Sequence, residues 1–369
     1  MVKILILTNV EDAHSRIVFD CLKKKGASPI RWYPEEYIIN QDSKITISKE
    51  ATVNIKISSQ DSIDIENIDV VWNRRFQYPN LSKLVHPDDY DFVNRENRAH
   101  MDSLLLLLEE KATWVNPLSS YRISNSKLVQ LREAARLKME IPKTLITNHK
   151  KDIIDFIDEN NALGIRTIYK TFLPPYWEES KNYYNLYTSV INKEILPNES
   201  IMRITPGIYQ QNIDKQYEIR VTFFGQEYIA IKIDNSDEQD WRILSGTSQF
   251  KINLTILPHE IEKKCIQLMQ KLGIIFGCFD FIVTPKDEYV FLEVNEMGQF
   301  SWIEEMLPNV KIVDRFCDFL IDSAQSQLNQ EKTKFSLHEI TTSETYKHLL
   351  QNDKIHHAII ETTSASNMK

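Results

Sequence analysis

Two apolar runs near residue 280 constrain this chain more than any other feature of its sequence. The runs Cys278–Thr284 and Tyr289–Asn295 alternate side chains in the way that is typical of paired β-strands. The four residues between them, 285–288, include a proline and three charged residues and predict a hairpin loop. Because side chains alternate across a strand, placing the apolar faces together fixes the partner of every residue.

The predicted register places two carboxylates side by side. Facing Phe279 against Val294 sets Asp280 directly opposite Glu293, with Asn295 one step further along the same face. Like charges opposed on neighbouring strands destabilise a sheet by up to about 1 kcal/mol, so we expect a cation between them. Two carboxylates and an amide oxygen suit Mg²⁺. The alternative is a solvated acidic face, which the apolar residues on that face disfavour.

A second predicted hairpin carries positive charge. Its strands are Tyr217–Phe224 and Tyr228–Ile233, and matching their apolar faces through a three-residue connection sets Arg220 against Lys232. Two cations on one face favour an anion such as a polyphosphate. Neutralisation by Glu218 on the same face is an equally good interpretation of this hairpin alone.

Glycine is too scarce for the common phosphate-binding loops. The chain has 8 glycines in 369 residues, and neither GxGxxG nor GxxxxGK[ST] occurs. A phosphate site here must therefore be built from side chains. Lys170 ends an apolar run that predicts a strand, and Lys127 lies in the first turn of a predicted helix, where the helix dipole disfavours a cation. Both lysines are candidates, although simple solvation of Lys127 is the alternative.

Composition excludes several classes of protein. With 42% hydrophobic and 26% charged residues the chain can bury a core, and its net charge of −8 argues against nucleic-acid or membrane-surface partners. No apolar run approaches the roughly 18 residues that span a bilayer. The four cysteines lack metal-like spacing and are too few for a disulfide framework, so we expect a cytoplasmic setting.

The order of predicted elements indicates an α/β (α+β) fold with several parts. Residues 1–120 predict an α/β domain with a parallel sheet, and residues 121–205 predict a small central α/β unit. Residues 206–328 are dominated by β-alternation. Residues 329–369 are rich in Ser, Thr, Asn and Lys and predict a weakly packed, flexible tail.

This order of parts resembles the ATP-grasp superfamily of carboxylate–amine and carboxylate–hydroxyl ligases, and is most similar to the graspetide synthetases (microviridin-type and grasp-with-spasm). The resemblance covers about residues 1–325 and is carried by Val71–Arg75, Ser126–Leu131, Ile141–Asn148, Gln210–Ile213, Glu218–Val221 and Asp280–Phe300. It implies an N-terminal pre-ATP-grasp domain followed by a central and a C-terminal ATP-grasp subdomain, the latter with the Mg²⁺ and ATP site.

The resemblance also implies roles for individual residues. The metal ligands it implies are Asp280, Glu293 and Asn295. The lysines implied to hold ATP phosphates are Lys127 and Lys170. The hinge behind adenine is formed by Gln210, Gln211, Asn212 and Ile213. The cations that would neutralise the transferring phosphoryl group are Arg220, Lys232 and Arg242.

The activity implied is ATP-dependent macrocyclisation of a ribosomally made precursor peptide with a leader and an acidic, Thr-rich core. An Asp or Glu carboxylate would become an acyl phosphate, and a Thr or Ser hydroxyl or a Lys amine would then close an ω-ester or ω-amide. The alternatives are an amino-acid-adding ligase and a non-catalytic ATP-binding regulatory protein. No nucleic acid or membrane is expected as a partner, and a homodimer is compatible with the family.

Other polar residues keep more than one interpretation. His259, Glu296 and Glu304 are candidates for a general base, and each is also an ordinary surface residue by type. Arg74 and Arg75 could meet an acidic core peptide or form an ion pair between domains. The sequence alone does not choose between these roles.

Overall fold

The computed structural model describes most of the chain as two compact units. The described residues are 1–36, 42–49, 53–58, 63–64, 67–81, 84–173, 176–179, 182–185, 188–234, 250–324 and 333–354. The first unit comprises Met1–Tyr121, Gly273–Phe276 and Met297–Lys369, and the second comprises Arg122–Leu272 and Gly277–Glu296. No helix in the described ranges is both long and apolar enough to cross a membrane.

The first unit is built on a parallel sheet. Its N-terminal elements are β1 (Lys3–Leu7), α1 (Ala13–Lys24), β2 (Ser28–Trp32), β3 (Asp42–Ile47), β4 (Val53–Ser58), β5 (Ile63–Asp64), β6 (Val70–Asn73), α2 (Tyr90–Lys111) and β7 (Thr113–Val115). The order β2-β1-β6-β7 is parallel throughout, while β3, β4 and β5 form a separate antiparallel sheet. Residues 4–7 of β1 are all apolar and buried, as is typical of a parallel strand that is covered on both faces. The predicted parallel α/β arrangement is confirmed.

The second unit begins with a small helix-covered sheet. Its elements are α3 (Tyr121–Ser124), α4 (Lys127–Arg136), β8 (Thr144–Thr147), α5 (Lys150–Ala162), β9 (Thr167–Lys170), β10 (Tyr176–Glu179), β11 (Asn182–Asn185), β12 (Ser189–Ile191), α6 (Glu199–Met202) and β13 (Gly207–Gln211). Strands β12, β9, β13 and β8 form an antiparallel sheet in that order. Helix α5 covers one face, where Ile153, Phe156 and Ile157 pack against Tyr209.

A larger sheet completes the second unit. Its elements are β14 (Tyr217–Phe224), β15 (Glu227–Asp234), β16 (Lys251–Thr255), α7 (His259–Leu272), β17 (Phe276–Val283) and β18 (Tyr289–Asn295). The strand order is β16-β15-β14-β17-β18, so β18 is an outer strand. Four fully buried aromatic rings pack together in this region, those of Phe223, Phe279, Phe281 and Phe291. Their packing leaves the opposite face of β14, β17 and β18 to polar side chains.

The C-terminal segment belongs to the first unit. It contains α8 (Ser301–Met306), α9 (Ile312–Asp322) and α10 (Leu337–Thr341), and residues 344–354 are also helical. Leu337 is buried and Ile340 is fully buried, and α10 contacts α1. Residues 333–354 are therefore packed, which differs from the weakly packed tail that the composition predicted. Residues 325–332 and 355–369 lie outside the described residues.

Paired charges attach this segment to the body of the first unit. The Asp353 carboxylate accepts hydrogen bonds from Arg16 of α1 and Arg31 of β2, at 2.9 and 3.1 Å. The Lys25 ammonium lies 2.7 Å from Asp314 Oδ1 and donates to the carbonyl of Thr333 at 2.9 Å. These partners are distant in sequence. The contacts that stabilise the polar C-terminal segment therefore cannot be predicted from its own local sequence.

Replacing Ile340 by alanine tests whether the tail packs as described. Deleting a buried branched side chain leaves a cavity, so we expect Ile340→Ala to lower the free energy of unfolding by about 2–5 kcal/mol in denaturant titrations. The control is Ile204→Ala, whose side chain is 79% exposed and whose effect should stay within about 0.5 kcal/mol. Equal effects of the two substitutions would contradict the docked tail.

Candidate active site

The register of strands β17 and β18 agrees with the register predicted from the sequence at Asp280 and Glu293. Strand β17 pairs with β18 so that Asp280 lies opposite Glu293, Phe279 opposite Val294, and Cys278 opposite Asn295. The two carboxylates and the amide of Asn295 therefore share one face of the sheet, as predicted. The structure thus brings together the three side chains that the sequence selected as a metal-binding set.

A β-bulge corrects the predicted register nearer to the loop. Beyond Asp280 the pairing shifts by one residue, so that Phe281 faces Phe291 and Val283 faces Tyr289. An unbroken continuation of the predicted register would pair Phe281 with Leu292, which is wrong because Leu292 is the extra residue of the bulge. An extra residue bends its strand and redirects side chains, and bulges are frequent beside active sites. The pairs from Phe281 towards the loop are shifted by one residue, whereas the pair Asp280–Glu293 on the other side of the bulge has the predicted register.

A buried guanidinium neutralises one of the carboxylates. Arg220 of β14 donates from Nη1 to both oxygens of Asp280, at 2.9 and 3.0 Å. The two side chains are only 8% and 14% exposed. Burial alone would lower the pKa of Arg220, but the negative charge of Asp280 raises it, with smaller effects from Cys278 and Glu293. Arg220 therefore stays charged and offsets the repulsion between the opposed acids.

A lysine on helix α4 approaches the second carboxylate. Lys127 Nζ lies 3.4 Å from Glu293 Oε2 and donates to the carbonyl oxygen of Thr171 at 3.2 Å. Thr171 directly follows Lys170, the last residue of β9, so both predicted phosphate lysines belong to one region of the second unit. The helix begins at Ser126, whose hydroxyl accepts from the amide of Val129 and acts as the N-cap.

The donor set of this site fits a hard divalent cation. The ligands offered are two carboxylates and one amide oxygen, which are oxygen donors of the kind that Mg²⁺ prefers. Glu293 is half-buried and Asn295 is exposed, so water and phosphate oxygens have access to the remaining positions. Within the described ranges no group of three His, Cys, Asp or Glu side chains could hold a metal, so a metal at this face would also need the amide oxygen of Asn295.

The predicted adenine hinge consists of the last two residues of strand β13 and the two residues after it. Gln210 is buried and donates from Nε2 to Thr144 Oγ1 at 2.9 Å. By register it shares a face with Lys170, away from helix α5. The Gln211 amide instead donates to Asn160 Oδ1 on α5 at 3.0 Å. The backbone N–H of Gln211 donates to the carbonyl of Lys143 at 3.1 Å, so both N–H groups that Gln211 offers have partners within the protein.

The last two hinge residues continue the chain beyond β13. The amide of Asn212 donates to the carbonyl of Arg166 at 2.8 Å, and Ile213 follows it directly. This bond ties the backbone after β13 to the residue that precedes β9. Their contribution to nucleotide binding stays a prediction.

The predicted pairing of Arg220 with Lys232 is wrong. Strands β14 and β15 are joined by a two-residue turn, so Arg220 faces Ile231 and Lys232 faces Ile219 on the other side of the sheet. The turn begins at Gly225 with φ +62°, a conformation that glycine adopts without strain and that short hairpins need. The prediction had assumed a three-residue connection, which displaces every pair by one.

The remaining charges of this hairpin find other partners. Lys232 lies 3.1 Å from Asp234 and stands over the ring of Tyr217. The alternative partner for Arg220 was Glu218, which instead accepts from Lys215 at 2.8 Å in a buried ion pair. The third predicted cation, Arg242, lies outside the described residues.

The general-base candidates differ in their surroundings. The side chain of His259 is 90% exposed, and its ring lies 3.7 Å from Glu262 on the same helix. Glu304 is buried in the first unit and accepts from the backbone amides of Val313 and Leu337, which is a structural role. Glu296 is buried, accepts from Ser124 Oγ, and has its pKa raised to about 7 by burial.

The paired arginines of the first unit have separate environments. Arg74 is buried, donates from Nε to Asp12 Oδ2 at 3.2 Å, and also donates to the carbonyl of Met297. Asp12 is the N-cap of α1 and accepts from the amide of Ser15. Of the two sequence interpretations, the structure therefore gives Arg74 an ion pair, formed within the first unit. Arg75 is 41% exposed, with Asp12 at 3.9 Å.

Replacing Arg220 tests the charge balance of the site. Without its guanidinium, Asp280 and Glu293 are left opposed, so we expect Arg220→Met to lower the free energy of unfolding by about 3–5 kcal/mol in chelator-treated protein. Lys232→Met is the matched control, because that ion pair is largely exposed and should contribute about 1 kcal/mol or less. If denaturant titrations show that both variants lose the same free energy of unfolding, the placement of Arg220 beside Asp280 and of Lys232 on the opposite face of the sheet is contradicted.

His14 predicts how the stability of the first unit depends on pH. Its ring packs on Phe300, and burial, aided by Arg74 and opposed by Asp12, lowers its pKa to about 3. The unfolded chain therefore binds this proton below pH 6.5 while the folded chain does not, and stability is lost as the pH falls. We expect wild type to lose about 1.4 kcal/mol per pH unit more than His14→Leu between pH 6 and pH 4. Unfolding titrations that give His14→Leu the wild-type slope would refute the assignment.

Comparison with known proteins agrees with this geometry. Residues 3–122 match the family model described as the MvdD pre-ATP grasp domain. No curated protein matches the chain. Among solved structures, the chain is similar to a RiPP-associated ATP-grasp ligase of Chryseobacterium gregarium in complex with ADP and a leader and core peptide, with 26% identity, a TM-score of 0.76, and coverage of 90% of this chain and 100% of that one.

Two proteins from Microcystis aeruginosa MRC are also similar. The macrocyclase MdnB has 27% identity and a TM-score of 0.73, over 87% of this chain and 99% of that chain. The macrocyclase MdnC, bound with its precursor peptide MdnA, has 23% identity and a TM-score of 0.76, over 87% of this chain and 100% of that chain, and shows the shared fold. From its pre-ATP grasp domain and these likenesses, the chain is an ATP-grasp ligase that is similar to the macrocyclases MdnB and MdnC.

Proposed function

We propose that this chain closes rings in a ribosomally made precursor peptide by activating Asp or Glu side chains with ATP. The observation that carries the proposal is the face of the sheet that holds Asp280, Glu293 and Asn295 with Arg220 and Lys127 beside them. Opposed carboxylates flanked by cations are suited to bind a magnesium–nucleotide complex without a glycine loop. The likeness to ligases solved with precursor peptides supports a peptide substrate.

In this proposal the three oxygen-donor side chains hold Mg²⁺. When bound, the metal supplies positive charge to the phosphate oxygens of ATP. Lys127 and Lys170 would contact those phosphates. Lys127, at the start of α4, donates to the carbonyl of Thr171, the residue that follows Lys170 at the end of β9. Arg220 is already charged and buried beside Asp280, so it would stabilise the charge on the transferring phosphoryl group.

Gln210 is the side chain best placed to recognise adenine. Its Nε2 is occupied by Thr144, whereas its buried Oε1 has no hydrogen-bond partner among the described residues. A buried carbonyl oxygen without a partner costs free energy unless a ligand or water donates to it. The exocyclic amino group of adenine is a suitable donor. Gln211 would contribute less than Gln210, because its side-chain amide is held by Asn160 and its backbone N–H by the carbonyl of Lys143.

The proposed chemistry has two steps. A substrate carboxylate oxygen attacks the γ-phosphorus of ATP, the bond from γ-phosphorus to the bridging oxygen breaks, and ADP leaves. A hydroxyl or amine of the same peptide then attacks the acyl carbon and expels inorganic phosphate, while its proton passes to a base or to solvent. The net change in the peptide is the loss of one water per ring. Holding both groups in one bound peptide makes the second step effectively intramolecular.

Mass spectrometry of a candidate precursor tests the proposal. The substrate is a short peptide, encoded beside the gene, with repeated Thr and Asp or Glu near its C-terminus. With ATP and Mg²⁺ we expect products lighter by multiples of about 18 Da, which is one water per bond formed. An increase in mass would instead indicate an amino-acid-adding ligase, and an unchanged peptide together with tight ATP binding would indicate a regulatory nucleotide-binding protein.

Single substitutions locate the activity at the predicted face. Asp280→Asn and Glu293→Gln each remove one charged metal ligand, and we expect either to slow cyclisation by about 10²-fold or more. Lys251→Met is the control, because this exposed residue lies on β16 at the other edge of the sheet. Rates of ring formation within a few-fold of wild type in both acid variants would rule out the proposed site.

A further inference from the structure

The outer edge of strand β18 is closed by groups from outside the sheet. An outer strand presents backbone amides and carbonyls that need partners, and buried ones are costly when they have none. At Phe291 the backbone amide donates to the carbonyl of Glu140 at 2.8 Å. At Val294 the partner is a side chain, that of Gln130 on helix α4.

Gln130 binds the strand as a neighbouring strand would. Its Oε1 accepts from the amide of Val294 at 3.0 Å, and its Nε2 donates to the carbonyl of Val294 at 2.8 Å. Nε2 also donates to the carbonyl of Ser124 at 2.5 Å, the residue whose hydroxyl donates to Glu296. The side chain is buried, so these bonds are shielded from water.

The two peptide groups that Gln130 binds are those that join the proposed metal ligands. The amide N–H of Val294 belongs to its peptide bond with Glu293, and the carbonyl of Val294 belongs to its peptide bond with Asn295. One side-chain amide therefore fixes the backbone on both sides of Val294. The spacing of Gln130 from Lys127 puts both on one face of α4, and Lys127 reaches the carboxylate of Glu293.

We propose that Gln130 is a positioning residue for the magnesium site, an inference that rests on the proposed function. Mg²⁺ demands near-ideal octahedral geometry, so small displacements of its ligands weaken its binding. Residues that orient metal ligands without touching the metal typically change affinity 10–100-fold when they are replaced. Gln130 holds the spacing of Glu293 and Asn295 through the backbone.

The test is Mn²⁺ binding by the protein with saturating ADP, followed by electron paramagnetic resonance, with Mn²⁺ as the probe for the Mg²⁺ site. Gln130→Met keeps the length of the side chain and loses all three hydrogen bonds. We expect its Mn²⁺ dissociation constant to rise by about 10-fold or more. ADP binding without metal should change less than about 2-fold, because no nucleotide contact is proposed for Gln130.

A stability control separates positioning from general loosening. Ile157→Val shortens a buried side chain of α5 in the same unit and should lower the thermal midpoint without changing the Mn²⁺ constant. If Gln130→Met does not fold, Gln130→Glu replaces it, since it can still accept from Val294 but cannot donate. That variant should weaken Mn²⁺ binding by at least about 3-fold.

The outcomes distinguish the two proposals. No ADP-dependent Mn²⁺ binding by wild type would overturn the proposed function itself. Wild-type Mn²⁺ binding by a folded Gln130→Met or Gln130→Glu would leave that function standing and overturn the role of Gln130. Weaker binding in the Gln130 variants, with a wild-type constant in Ile157→Val, supports the inference.

Discussion

The pairing of Asp280 with Glu293 across two antiparallel strands is the constraint that the candidate site depends on. Two carboxylates opposed on one face repel each other, and the second unit places one cation beside each of them. Arg220 binds Asp280 through both oxygens, and Lys127 approaches Glu293. The same charged residues that balance the folded sheet are those that the proposed function assigns to a magnesium–nucleotide complex.

Helix α4 links this charge balance to the edge of the sheet. Lys127 at its first turn reaches a carboxylate, and Gln130 one turn later closes the backbone of β18. A side-chain amide that replaces a missing strand blocks the edge from pairing with another chain while holding it in place. The bulge after Asp280 shifts the pairing only on the loop side, so the pairs that carry Asp280, Glu293 and Asn295 keep the predicted register. The hydrogen bonds of Gln130 thus both fix the position of β18 and occupy its outer edge.

The sequence predicted side-chain faces better than it predicted loops. Alternation is a property of each strand, so the shared face of Asp280, Glu293 and Asn295 followed from the apolar pattern. Register depends on the turn, and a turn shorter by one residue moved Lys232 away from Arg220. The packing of residues 333–354 could not be predicted, because the partners of Asp353 and Thr333, Arg16 and Lys25, lie 337 and 308 residues away in the sequence. The role of Gln130 was missed for the same reason, because Val294 is distant in the sequence and comes close to Gln130 only in the folded chain.

A double-mutant cycle between Asp280→Asn and Glu293→Gln tests the central claim most directly, with unfolding free energies measured with and without Mg²⁺ and ADP. In chelated protein either substitution alone removes the repulsion between the two acids, so the second relieves nothing further. We expect an unfavourable coupling of about 0.2–1 kcal/mol between the native acids. With metal and nucleotide the coupling should become favourable, because either substitution alone removes most of the ligand's stabilisation. Additive effects under both conditions would contradict the account.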